Sequence, residues 1–165
     1  MVALKGNHET ILERFLEDPS VARHWRDQGG SQTLHSCGLP AGLQIMNGEF
    51  DDVARDLWDV MPPSHLTFPR TLRTSLPVGK YFLCHAGVRP GIPLNRQSDE
   101  DLLWIRDDFL SSGLDFGTIV VHGHTPTESP EVLPNRINID AGAVTTGRLT
   151  CAILENGPLR FLVTK

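Results

Sequence analysis

Val2 to Lys5 reads as the last piece of a buried strand, and Gly6-Asn7-His8-Glu9 as the loop at its C-terminal end. Helical periodicity follows. Ile11, Leu12, Phe15 and Leu16 fall on one face, which predicts a helix over Thr10 to Glu17. Pro19 ends that helix or opens a second short one reaching Asp27. Gln28 to Gly48 is rich in Gly, Ser and Gln and predicts a long loop or an irregular helical linker. The clearest helix covers Asp51 to Met61. There Val53, Leu57, Trp58 and Met61 share a face, and Asp51 and Asp52 suit the positive N-terminal end. Pro62-Pro63 stops it.

The period then shortens. Leu72 to Leu76 and Tyr81 to His85 read as strands around the turn Pro77-Val78-Gly79. Ser98 to Leu103 predicts a helical turn capped by Ser98, with acids behind the cap. Thr118 to His122, Arg136 to Asp140, Leu149 to Leu154 and Leu159 to Val163 read as four further strands. The expected class is α/β or α+β, with helices mostly in the first half and an antiparallel or mixed sheet in the second.

Length and composition narrow this picture. A chain of 165 residues is long enough for one domain with a real core and short for two, so one domain over 1–165 is expected. Hydrophobic residues make up 39% and charged residues 21%, the proportions of an ordinary globular protein. The net charge of −5 supplies no basic field, which excludes nucleic acid as the expected partner. Apolar runs are strand-sized and broken by Lys80 or His122, so no membrane span is expected. Cys37, Cys84 and Cys151 are scattered and odd in number. That pattern fits a reduced compartment, and with no secretory signature a cytoplasmic location is expected.

Three polar clusters each follow a predicted strand: Lys5-Gly-Asn-His-Glu9, Cys84-His-Ala-Gly-Val88 and Val121-His-Gly-His-Thr-Pro126. A strand-end His beside Gly projects with little steric cover, and imidazole nitrogens with an amide oxygen suit Zn, Mn or Fe. A single loop His is more often solvated or hydrogen-bonded than a ligand, and His24, His35 and His65 are read that way. His85 is read as a ligand, because it follows the apolar run Tyr81 to Cys84. His122 and His124 would share a face in an extended segment, and at least one is expected to be functional. Other motifs fail: Leu12 stands where H-E-x-x-H needs its second His, and Gly29-Gly30 lacks a following G-K-[ST]. Ser31, Ser36 and Ser64 are not framed as a nucleophile elbow.

In order, G-N-H-E, C-H-A-G and H-G-H-T-P resemble the calcineurin-like metallophosphoesterases. The similarity is greatest to the branch of bacterial and bacteriophage serine/threonine protein phosphatases and symmetrical diadenosine tetraphosphatases. LLWIRDDF (Leu102 to Phe109) and NRINIDAGAVTTGRLT (Asn135 to Thr150) also look like the bacterial members, so the resemblance runs over nearly the whole chain. It implies mixed β-sheets flanked by helices, the C-terminal part of a phosphoesterase sandwich. Two earlier motifs of such proteins, G-D-x-H-G and G-D-x-V-D-R-G, do not occur in the sequence. The resemblance therefore implies a domain shortened at its N-terminus, with Val2 to Leu4 as an uncovered apolar edge prone to association.

By position, the resemblance makes Asn7, His85 and His124 the protein ligands of one metal, where such proteins normally hold two. It makes His8 the proton donor to the leaving oxygen, Arg106 a contact to the phosphate oxygens, and Lys5 the counterpart of an Arg facing the phosphate. The implied activity is metal-dependent hydrolysis of phosphomonoesters, such as phosphoserine or phosphothreonine in a protein or a small phosphoester. Dinucleoside polyphosphates are an alternative substrate. A further alternative is an inactive fragment with residual metal or phosphate binding. Asp140, at the end of its predicted strand, is the first candidate to replace an absent ligand.

Overall fold

A computed structural model describes residues 1–40, 42–155 and 157–164. The chain divides into two compact units, Asn7–Leu72 and Met1–Gly6 with Arg73–Lys165. The first is built of helices. Helix α1 (Asn7–Glu17) begins earlier than the apolar period predicts, because Asn7, His8 and Glu9 form its first turn. Glu9 there meets the positive end of the helix dipole. Asp18 caps a short 3-10 turn, Pro19–Val21, by accepting the Ser20 N–H at 3.1 Å.

Helix α2 (Ala22–Trp25) runs through a widened turn (Arg26–Gly30) into α3 (Ser31–Ser36). Gly29, at φ +92°, takes the left-handed step in that turn. Gly30 lies against Trp25, where an added Cβ would fall 2.6 Å from the indole. With α4 (Gly42–Asn47), most of the predicted linker is thus helical, while Ala41 lies outside the described residues. Helix α5 (Phe50–Val60) matches its pattern, except that Trp58 is 48% exposed and Ala54 takes its place on the buried stripe. Helix α6 (Pro63–Thr71) was not expected. Pro63 stops α5 but also starts α6, since a helix's first turn needs no N–H from proline. Ile11, Phe15, Trp25, Leu34, Ile45, Val53 and Leu57 fill this unit's interior, with the Phe15 and Trp25 rings stacked at 4.3 Å.

The second unit carries a five-stranded sheet: β1 (Ser75–Val78), β2 (Tyr81–Cys84), β3 (Ile119–His122), β4 (Glu131–Val132) and β5 (Arg136–Asn138). Their order is β1-β2-β3-β5-β4. Strands β2, β3 and β5 are parallel, and the outer strands pair antiparallel, so the sheet is mixed as expected. Strand β1 starts three residues later than predicted. Val2 to Leu4 does not form a strand, since Leu4 makes a single parallel bridge to Arg73. Helix α7 (Asp99–Trp104) has the predicted Ser98 cap, and α8 (Asp107–Leu110) follows one turn later. The short helix α9 (Ala143–Thr146) precedes the separate hairpin β6 (Thr150–Ile153) and β7 (Arg160–Val163).

Phe82, Cys84, Ala86, Val88 and Val120 pack with Leu102, Ile105 and Phe109, so strand residues and the two short helices share one apolar cluster. Gly87 is essential to that contact, since a Cβ there would lie 2.3 Å from the Phe109 ring. Burial also pushes the Cys84 thiol up to about 12, which keeps it a neutral packing group. Among the described residues, no helix is long and apolar enough to cross a membrane.

Candidate functional site

Parallel pairing aligns the C-terminal ends of β2, β3 and β5, where ligands characteristically bind in open α/β sheets. His85 leaves β2, His124 leaves β3 and Asp140 leaves β5 at that edge. These three line a cleft of about 320 Å³ with Lys5, His122 and Gly123, over a floor that includes Leu83 and Val121. Lys5 reaches it because its N–H donates to the Arg73 carbonyl at 2.8 Å, which ties residues 4 and 5 to the sheet.

His85 Nε2 lies 3.1 Å from His124 Nδ1. Two backbone features create this approach. The Gly123 N–H donates to the His85 carbonyl at 2.8 Å, joining the two strand ends. His124 itself takes φ +68°, a left-handed conformation uncommon for a residue with a side chain and costing about 1–3 kcal/mol. Gly123 leaves room for Asp140, whose Cβ would stand 3.3 Å from any Cβ added there. Asp140 is held by its own turn, with Oδ1 accepting the Gly142 N–H at 2.9 Å.

Arg106 joins the site from the turn between α7 and α8. Its Nη1 donates to the His124 carbonyl at 3.2 Å and to Thr125 Oγ1 at 2.9 Å. Trp104 presents its ring edge-to-face to His124, centroids 6.1 Å apart. Thr125 and Asn138 belong to this framework, although sequence reasoning did not select them. Asn138 is 1% exposed and donates to the Thr125 carbonyl at 2.8 Å. An amide between two isoleucines, Ile137-Asn138-Ile139, was the available signal.

His122 differs from its neighbour two residues on. It is buried on β3 with its ring edge-to-face on Phe109 at 4.9 Å, and Nε2 has no hydrogen-bond partner among the described residues. Desolvation pushes it down to about 4, with Arg136 adding to the effect and the Gly123 carbonyl and Asp140 opposing it. It is a neutral imidazole at ordinary pH.

The geometry of the two paired imidazoles fits a cation. Metal–nitrogen bonds of ~2.0–2.1 Å at angles of ~90–109° separate two ligand nitrogens by ~2.8–3.4 Å, which brackets the observed distance. Among the described residues, no group of three His, Cys, Asp or Glu side chains completes such a site. Asn7 and His8 are the first residues of α1 in the helical unit. Asn7 is 2% exposed, and the exposed His8 ring lies over Gly29.

No protein-family model and no curated protein sequence matches this chain. The crystal structure of a "putative diadenosine tetraphosphatase" is similar at TM-score 0.64 and 17% identity, over 98% of this chain and 68% of the other. At that identity the likeness is one of fold, a mixed α/β arrangement.

Proposed function

We propose that this chain is a metal-dependent phosphoesterase. The observation that carries the reading is the His85–His124 nitrogen pair at the C-terminal sheet edge, with the Arg106 guanidinium hydrogen-bonded to the same loop. His85 and His124 hold a divalent cation such as Mn, Zn or Fe, and the resemblance adds Asn7 to the ligands. A bound cation lowers the pKa of a coordinated water and neutralises phosphoryl oxygens. Arg106 and Lys5 hold the phosphate and offset the charge that accumulates on it during displacement. The resemblance gives His8 the proton donated to the leaving oxygen, a contribution of ~10²–10⁴-fold.

Likeness to the tetraphosphatase structure favours dinucleoside polyphosphates over phosphoserine or phosphothreonine as the substrate class. A second reading, phosphate binding around one cation without turnover, is favoured by the two-imidazole donor set and the lack of a three-residue group among the described residues. One experiment separates the two. The chain is titrated with Mn²⁺ and Zn²⁺ by calorimetry, then assayed on diadenosine tetraphosphate, a phosphoserine peptide and p-nitrophenyl phosphate. Metal-dependent hydrolysis supports the first reading. Binding of one cation and of phosphate with no hydrolysis supports the second. Absence of both binding and hydrolysis overturns both.

A further inference from the structure

Arg89 makes more polar contacts than its exposed position requires. Its Nε and Nη2 both reach Asp101 Oδ1, at 2.7 and 2.6 Å, and its Nη1 reaches Asp108 Oδ2 at 2.8 Å. Asp101 belongs to α7 and Asp108 to α8, so one guanidinium grips both helices that flank Arg106. Each end of the grip is itself fixed. Asp101 Oδ2 accepts the Ser98 hydroxyl at 2.7 Å, and Ser98 Oγ accepts the Asp101 N–H at 3.1 Å. Gln97 staples the Arg89 backbone: its Oε1 accepts the Arg89 N–H at 2.7 Å, and its Nε2 donates to the Arg89 and Ile92 carbonyls. Arg89 holds Asp101 below the usual carboxylate range, and the guanidinium is raised in return, so both stay charged.

We propose that Arg89 is a positioning residue that locks the α7–α8 turn and thereby aims Arg106 at the anion site. Two facts support this over simple surface stabilisation. Isolated exposed ion pairs contribute little to stability, so a double carboxylate grip with its own staple is out of proportion to that role. The turn it spans also has an exposed apex, since Arg106 sits between a six-residue and a four-residue helix. Its side chain is directed by two hydrogen bonds to the 124–125 loop, and those need the apex in one place.

The proposal rests on reading Arg106 as a phosphate contact. The test measures inorganic phosphate affinity of the full chain with Mn²⁺ present, together with hydrogen exchange at the Phe109 and Leu110 amides. Both amides donate to the Arg106 carbonyl, at 3.0 and 2.9 Å. Arg89→Met is expected to weaken phosphate about tenfold and to speed that exchange about tenfold. Arg89→Lys should recover part of both, and Arg55→Met, which breaks an exposed pair with Asp52 in the helical unit, should change neither. Adding Arg89→Met to Arg106→Ala should cost no further affinity, because the clamp then has nothing to aim. Affinity losses that multiply in the double variant, or an Arg89→Met protein with unchanged affinity, would overturn the proposal. Should the unaltered chain bind no phosphate, the functional reading falls, and unchanged exchange in Arg89→Met would separately overturn the clamp.

Discussion

His85 Nε2 and His124 Nδ1 stand 3.1 Å apart, although 39 residues separate them in the chain. Without a cation, one ring donates an N–H hydrogen bond to the other, the tautomers deciding which. With a cation, both lone pairs turn to it. His85→Ala or His124→Ala should therefore weaken Mn²⁺ or Zn²⁺ binding by at least ~100-fold, the upper end of what loss of an outer-shell partner costs. Calorimetric titration decides this, and unchanged affinity in both variants would remove the pair from the metal site.

His122 makes stability depend on pH. Its folded value is about 4, against about 6.5 for an unperturbed histidine. Between those values the unfolded chain binds a proton that the folded chain refuses, so stability increases with pH through this window. The contribution is complete above about 6.5 and fades as pH falls towards 4. Urea unfolding at pH 7.5 and at pH 4.5 should show a larger loss for the unaltered chain than for His122→Gln. Equal losses would mean that His122 does not set the dependence.

Gly87 tests the packing beneath the site. A methyl group there would press into Phe109, which is fully buried. Gly87→Ala should cost about 1–3 kcal/mol in denaturant unfolding, the range for overpacked cores. A variant of undiminished stability would show that the strand-end loop can move away from α8.

His8 has a kinetic signature. If it protonates the leaving oxygen, His8→Asn should slow substrates with poor leaving groups by ~10²-fold or more and spare p-nitrophenyl phosphate, whose leaving group needs no proton. Equal slowing of both would assign His8 another role.

The clusters after β2 and β3, Cys84 to Val88 and Val121 to Pro126, were readable in the sequence as strand ends because each stands at the end of an apolar run. The same holds for the Ser98 cap and for the stripe on α5. Helix α6 was hidden because Pro63 carries two meanings, stop and start, and only packing chooses between them. Asn7, His8 and Glu9 read as loop because they are polar, yet a helix's first turn tolerates polar groups well. Thr125 and Asn138 went unselected because their partners, Arg106 on the Thr125 hydroxyl and the Asn138 amide on the Thr125 carbonyl, are brought to them only by the fold. The left-handed turn at His124 left no residue signature either, since glycine would be the usual marker.

Leu83 pairs with Val121, so His85 lies two residues beyond a matched position and His124 three beyond. The left-handed turn absorbs that extra residue and returns the second imidazole to the first. Alignment of the two rings is thus slaved to a ladder whose side chains alternate faces. A slip of one residue between β2 and β3 would carry apolar side chains outward and separate the rings in the same stroke. On the proposed metal reading, cation affinity would be a proofreading signal, reporting on the accuracy of strand assembly as much as on the presence of two histidines.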